Sequence, residues 1–239
     1  MERIRTEIPM LERRVIAERT VLVTFAKPEG FSYRAGQYLS WTVPGEISDE
    51  RGNVRPLSLA SSPTEDVLMI AVRQSASTFK TALERLNPGD TVRILGPLGG
   101  FGLEETAAEH VMIAGGIGVT PFRSMIKNAL DRSLAVRLLL LSANRTPEAI
   151  PFHAELGAWA DGHDNFSVVQ TITDPAPADW RGERSRMDAS FIRRCVPDLA
   201  APIFYVVGPP GMVDAAERLL REELGIPEER VRVERFTGY

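Results

Sequence analysis

Sulfur chemistry is nearly absent from this chain: Cys195 is the single cysteine among 239 residues. One thiol cannot close an intramolecular disulfide, hold an iron–sulfur cluster or build a cysteine-rich zinc site, so any redox chemistry needs an organic cofactor. Histidine is scarce as well, and His110, His153 and His163 have no mutual ligand spacing, so no metal is expected. There is no basic excess: 28 Lys and Arg against 32 Asp and Glu leave a formal charge of −4. That balance offers no electrostatic footprint for nucleic acid or an anionic membrane. No apolar run approaches the ~20 residues of a membrane span, and the opening MERIRTEIPML lacks the apolar core of a secretory signal. These absences lead us to expect a cytoplasmic protein without a membrane span, whose partners are small molecules or other proteins.

What is present is ordinary globular composition, 44% hydrophobic and 25% charged, arranged in two rhythms. Residues 13–26, 37–43, 55–60, 66–73 and 91–95 are short β-prone runs separated by Gly, Pro, Ser and Asp clusters, the pattern of an antiparallel barrel or sandwich. One helix interrupts them: Ser77 or Thr78 can cap FKTALERL, whose apolar residues fall at 79, 82, 83 and 86, and NPGD stops it. Beyond about residue 106, continuous apolar runs (HVMIAGG, AVRLLLLSA, FSVVQTIT, PIFYVVG) alternate with helical patterns at about 119–131, 147–160, 188–195 and 211–224. Strands buried on both faces of a parallel α/β sheet read this way. The predicted fold is therefore an all-β antiparallel barrel domain over 1–105, followed by an α/β parallel-sheet domain over 106–239.

Four segments carry candidate chemistry. In IAGGIGVTPFRSMI (113–126) an apolar strand runs through Gly115, Gly116 and Gly118 into a helix that starts with Thr120 and Pro121. Such a turn lets a pyrophosphate approach backbone N–H groups at the positive end of the helix dipole; alone, it also reads as an ordinary strand–turn–helix connection. FYVVGPPGMVDAAERLL (204–220) repeats the arrangement with Gly208, Pro209 and Met212, where Pro and Gly are equally good helix-start punctuation. In RPLSLASSP (55–63), Arg55 and Ser58 are three apart, on opposite faces of a regular strand. A guanidinium suits a phosphate and a hydroxyl suits a ring nitrogen, although a strand arginine can simply be exposed. Ser75, Ser77 and Thr78 around the next helix start form a second anion site or a plain cap.

RPLS, the SAST helix start, GPLGGF (96–101), GGIGVTP (115–121), VGPPGM (207–212) and the terminal VERFTGY (233–239) stand in register. In that order they resemble the flavin-dependent NAD(P)H oxidoreductases of the ferredoxin–NADP⁺ reductase superfamily, in the form without an iron–sulfur domain. The resemblance implies an FAD-binding barrel and an NAD(P)H-binding α/β domain, with flavin and nicotinamide meeting between them. Arg55, in the strand with Pro56 and Leu57, would hold the FAD pyrophosphate, Ser58 would sit by the flavin N5, and Ser75, Ser77 and Thr78 would add contacts. Gly115, Gly116, Gly118, Thr120 and Pro121 would bind the NAD(P)H pyrophosphate and ribose, and Gly208, Pro209 and Met212 would flank the nicotinamide.

Two positions depart from the family pattern: Leu57 replaces a flavin-stacking aromatic, and Val207 replaces a cysteine associated with efficient hydride transfer. Glu234 and Phe236 match the terminal glutamate and the aromatic that covers the flavin, with Tyr239 able to reach the adenine side of FAD. At the end of FSVVQTIT, Asp174 stands where phosphate-selective relatives carry arginine, which favours NADH, while Arg145, Arg184 and Arg186 are placed to reverse that preference. The expected activity is hydride uptake from NAD(P)H onto FAD, with electrons passed to a separate ferredoxin, flavodoxin or oxygenase component. A non-catalytic dinucleotide-binding regulatory module and an electron-transfer subunit of a fixed partner enzyme are the alternatives.

Overall fold

The computed structural model describes residues 2–45, 52–75 and 77–236. Two compact units make up the chain, Met1–Leu103 with Thr120–Asp131, and Glu104–Val119 with Arg132–Tyr239.

In the first unit, β1 (Ile4–Ala17), β2 (Thr20–Ala26), β3 (Tyr38–Thr42), β4 (Val54–Ser58), β5 (Val67–Arg73) and β6 (Thr91–Leu98) form one antiparallel sheet in the order β4-β3-β6-β1-β2-β5. The expected barrel is barrel-like but not closed, because β4 and β5 do not pair among the described residues. The predicted run 13–26 is really two strands: Arg19 takes a left-handed φ of 52° and turns the chain. Sequence periodicity also misses the first half of β1, where Ile4–Pro9 pair with β6 before Met10–Ala17 cross to β2. Mixed charged and apolar residues hide this half-exposed stretch. The core packs Phe25 on Trp41, with ring centroids 4.9 Å apart, and α1 (Thr78–Glu84) inserts Phe79 and Leu83. Pro56 stands on the edge strand β4, where its missing N–H costs no ladder bond.

The second unit holds a parallel sheet of β7 (Glu109–Gly115), β8 (Arg137–Asn144), β9 (Phe166–Ile172), β10 (Ile203–Gly208) and β11 (Val231–Arg235). β7 is followed by a 3₁₀ turn, Gly116–Gly118, and then by α2 (Val119–Asp131), which counts with the first unit from Thr120 onward. The predicted helix 147–160 is shifted: Ile150 precedes Pro151 and is extended, Phe152 is left-handed, and α3 runs His153–Gly162. Asp188 caps α4 (Ala189–Cys195) by accepting from Phe191 N at 2.8 Å. α5 (Pro210–Arg218) continues into a wider π turn, Leu219–Glu223.

The strand order β11-β10-β7-β8-β9 reverses between β7 and β10. In open parallel sheets that reversal leaves a crevice beyond the carboxyl ends of the two strands, where ligands bind. Both glycine turns leave the sheet there. A Cβ on Gly118 would lie 2.3 Å from the Val207 carbonyl oxygen and 2.6 Å from its carbon. Backbone cannot yield as a flexible side chain can, so Gly118→Ala should destabilise the protein by about 1–3 kcal/mol. Gly211→Ala, whose Cβ meets nothing within 4 Å, should be neutral or mildly stabilising; urea denaturation of the two variants checks the contrast.

Candidate functional site

In the first unit the site is built around β4. Arg55 is only 8% exposed. Its Nη1 donates to the carbonyls of Gly52 (2.7 Å) and Val54 (2.8 Å), and the guanidinium lies 5.4 Å from the centroid of the Phe79 ring. Phe79 belongs to the first turn of α1, so the structure brings Arg55 beside the helix start that carries Ser77 and Thr78. Ser77 occupies the N-cap, but its side chain makes no capping bond, and α1 spans only 7 residues. Ser75, Ser77 and Thr78 are half-buried. Ser58 is buried like Arg55, since β4 ends there and its alternation of faces lapses; Pro56 is exposed and Leu57 packs partly against the core. A buried guanidinium on a strand end fits a pyrophosphate partner of the kind FAD provides.

Sequence reasoning missed Gln37. Its amide nitrogen donates to Gly99 O (2.9 Å), its carbonyl accepts from Leu59 N (3.0 Å), and its Oε1 accepts from Arg34 N (2.8 Å). Between its buried side chain and its main-chain carbonyl, this one residue ties the GPLGGF turn to the end of the RPLS strand. Its only sequence signal is a polar residue within an otherwise β-prone run.

The glycine turns of the second unit come together closely. A Cβ on Gly115 would meet Met212 Sδ at 3.1 Å and Pro209 at 3.3 Å, and one on Gly208 would meet Gly115 Cα at 3.3 Å. Gly116 has a φ of 53°, a conformation suited to glycine. Thr120 is 2% exposed and Pro121 is buried. Phe236 N donates to Gly208 O (2.9 Å), and Glu234 pairs in register with Val207, which brings the C-terminal residues to the second turn. Arg235 anchors that strand to α5 through Asp214 (2.8 Å) and Glu217 (2.6 Å). Tyr239 lies outside the described residues.

Past the ends of β8 and β9, Arg145 Nη2 and Asp174 Oδ2 form an ion pair at 3.0 Å, and Asp174 N donates to Arg145 O. Arg184 instead donates to the carbonyls of Pro177 and Trp180. Among the described residues no cluster of His, Cys, Asp and Glu could hold a metal ion. No helix there is long and apolar enough to cross a membrane.

Glu234 Oε2 is buried and has no hydrogen-bond partner among the described residues, and burial pushes the carboxyl up to about 7. The sign follows from linkage: an unfolded glutamate loses its proton near 4.3, whereas the folded one keeps it to about 7. Stability therefore declines as pH rises across that window, and the penalty is complete above it. Glu234→Gln should remove roughly 1–3 kcal/mol of this decline, so in thermal denaturation from pH 5 to pH 8 the gap between variant and wild type should widen with pH and level off above about 7.

Residues 112–218 match a family model described as the oxidoreductase NAD-binding domain. Ferredoxin–NADP reductase B of Sorangium cellulosum (strain So ce56) is 32% identical over 250 residues, covering 94% of this chain and 97% of that one. The reductase component of propane 2-monooxygenase from Rhodococcus jostii (strain RHA1) is 26% identical over 238 residues, covering 98% of this chain but 62% of that one. A crystal structure of an Amycolatopsis cytochrome P450 reductase superposes with a TM-score of 0.83 at 28% identity, covering 99% of this chain and 71% of that chain. The first relative is thus spanned almost end to end, the second over less than two thirds of its length. An end-to-end match at 32% identity, in a chain whose two glycine turns meet at the reversal of a parallel sheet, makes this protein a member of the ferredoxin–NADP reductase superfamily.

Proposed function

We propose that the protein is an FAD-dependent oxidoreductase that accepts a hydride from NAD(P)H and passes electrons to a separate acceptor, a ferredoxin, a flavodoxin or an oxygenase component. The observation that carries this reading is the packing of the two glycine turns against each other beyond β7 and β10, with Glu234 and Phe236 alongside. When bound, FAD supplies hydride acceptance and single-electron release. The chain's own residues bind and orient. Arg55 would hold the FAD pyrophosphate by a charge-assisted contact, Ser75, Ser77 and Thr78 would add polar contacts to it, and Leu57 and Ser58 on the same strand would contribute apolar and polar contacts to the flavin. The starts of α2 and α5 offer backbone N–H groups to the nicotinamide nucleotide. Glu234 holds a proton at its carboxyl below about pH 7, and Phe236 supplies an aromatic face at the second turn. Relatives named as a ferredoxin–NADP reductase and a cytochrome P450 reductase support a protein acceptor.

The test is direct: purified protein should be yellow, and anaerobic NADH or NADPH should bleach it without a partner. A colourless protein that binds no FAD would overturn the proposal. Arg55→Ala should weaken FAD retention by about ten- to a hundredfold, the effect of losing a contact of about 1.5–3 kcal/mol, as read by equilibrium dialysis.

NADH is the preferred donor in this proposal. Asp174 presents a carboxylate suited to the ribose 2′-OH and repels a 2′-phosphate. Its partner Arg145 is 77% exposed, so their ion pair adds little and leaves the carboxylate available. Asp174→Ala would release Arg145 toward a 2′-phosphate and should lower the NADH-to-NADPH ratio of kcat/KM by about tenfold. A wild-type preference for NADPH sinks this assignment.

A further inference from the structure

α2 is the helix that continues the first glycine turn, and its buried face carries an ion. Arg123 falls four residues after Val119 and three before Ile126, within a stripe that is otherwise apolar, and is 3% exposed. Its guanidinium grips Glu65 with both forks, Nη1 to Oε2 at 2.8 Å and Nη2 to Oε1 at 3.1 Å, and Nη1 also donates to Ala60 O at 2.8 Å. Glu65 Oε2 accepts in addition from Ser62 N at 2.6 Å. Next along the helix, Ser124 Oγ donates to Ser61 O at 2.5 Å, and Ser61 Oγ is bonded to the buried Tyr33 hydroxyl at 2.9 Å. At the far end of α2, Asp131 Oδ2 accepts from Thr64 Oγ1 at 2.5 Å. Lys27 secures the same loop through the carbonyls of Pro63 and Glu65. The segment held in this way, Ala60–Glu65, directly follows β4, the strand of Arg55 and Ser58.

Apolar packing alone would hold α2 in place, but it is not directional: a helix resting on Val119, Phe122, Met125 and Ile126 can rotate or slide at small cost. A buried ion pair contributes little stability over apolar residues of the same volume; its addition is a defined geometry. A two-forked arginine–carboxylate pair fixes both distance and orientation. Hydride transfer depends steeply on such placement, since a shift of about 1 Å far from the chemistry can cost about a hundredfold in rate.

We propose that Arg123 and Glu65 are positioning residues for the nicotinamide nucleotide: their pair fixes the start of α2, from Thr120 onward, on the loop that continues β4. The inference rests on the proposed hydride transfer from NAD(P)H. Arg123→Leu/Glu65→Leu removes both charges together and leaves no buried ion unpaired, Arg123→Lys keeps the charge without the fork, and Lys127→Ala on the same helix serves as control. In holoprotein at saturating nucleotide, anaerobic stopped-flow reduction of the flavin should slow at least about tenfold in the double variant, less in Arg123→Lys and not in Lys127→Ala. FAD content and flavin midpoint potential should stay at wild-type values, while NAD⁺ affinity of the FAD-free protein, measured by calorimetry, should fall. Unchanged reduction rate and unchanged NAD⁺ affinity, whatever the melting temperature, would overturn the assignment. If the double variant does not fold, Arg123→Lys and Glu65→Gln carry the same comparison. A wild type that neither nucleotide reduces would refute the proposed function itself, an outcome visible before any variant is made.

Discussion

Everything at the nucleotide end of this protein depends on how near Gly118 comes to the carbonyl of Val207. β7 and β10 are parallel neighbours, so the segments leaving them emerge side by side and compete for one space. Without Cβ atoms on Gly115, Gly118 and Gly208, the two turns fit against each other. Two helix starts are then brought to a single crevice, each with N–H groups that have no partner within the helix. The last strand takes its place from the same contact, because Phe236 bonds to Gly208 and Glu234 lies beside Val207. The close fit of the two turns is a by-product of steric economy.

The polar network under α2 complements that constraint. Most charged pairs in the protein are exposed, such as Arg93 with Glu7 and Arg221 with Glu228, and pairs of that kind add little to stability. Arg123 differs in being withdrawn from water, with Glu65 half-buried, and the pair is further joined to a backbone carbonyl and amide. Two kinds of interaction therefore divide the work, with glycine packing bringing the turns together and directional bonds orienting the helix that leaves the first of them.

Much of this was legible because local patterns carry it. The helix 119–131 shows its apolar stripe, and β7, β8 and β10 carry long apolar runs that suit a sheet covered on both faces. The glycine turns were legible for a related reason, since few residues tolerate such backbone proximity. The first half of β1 was hidden because Ile4–Pro9 alternate between half-buried and exposed positions and change partner midway along the strand. The shortened α3 follows from Pro151, whose effect on Ile150 outweighed the helical pattern around it. Pairings such as Arg123 with Glu65 or Arg145 with Asp174 join residues 58 and 29 positions apart and leave no periodic trace. The roles of Glu234 and Phe236 came only from family resemblance; the local surroundings of Glu234 became visible with the fold.

The partition of α2 bears on how the chain can be made. Completing the sheet of the first unit requires Ile4–Pro9 to find Thr91–Gly96, a pairing across most of that unit, and such distant contacts are slow to form. The unit also draws Thr120–Asp131 from beyond the first strand of the parallel sheet. A ribosome must therefore release β7 and its glycine turn before the amino-terminal unit can be completed. Translation order and folding order are interleaved, and β7 must wait, with its apolar faces uncovered, for neighbours not yet synthesised. That interval is when a nascent chain of this kind is most open to aggregation and to chaperone capture.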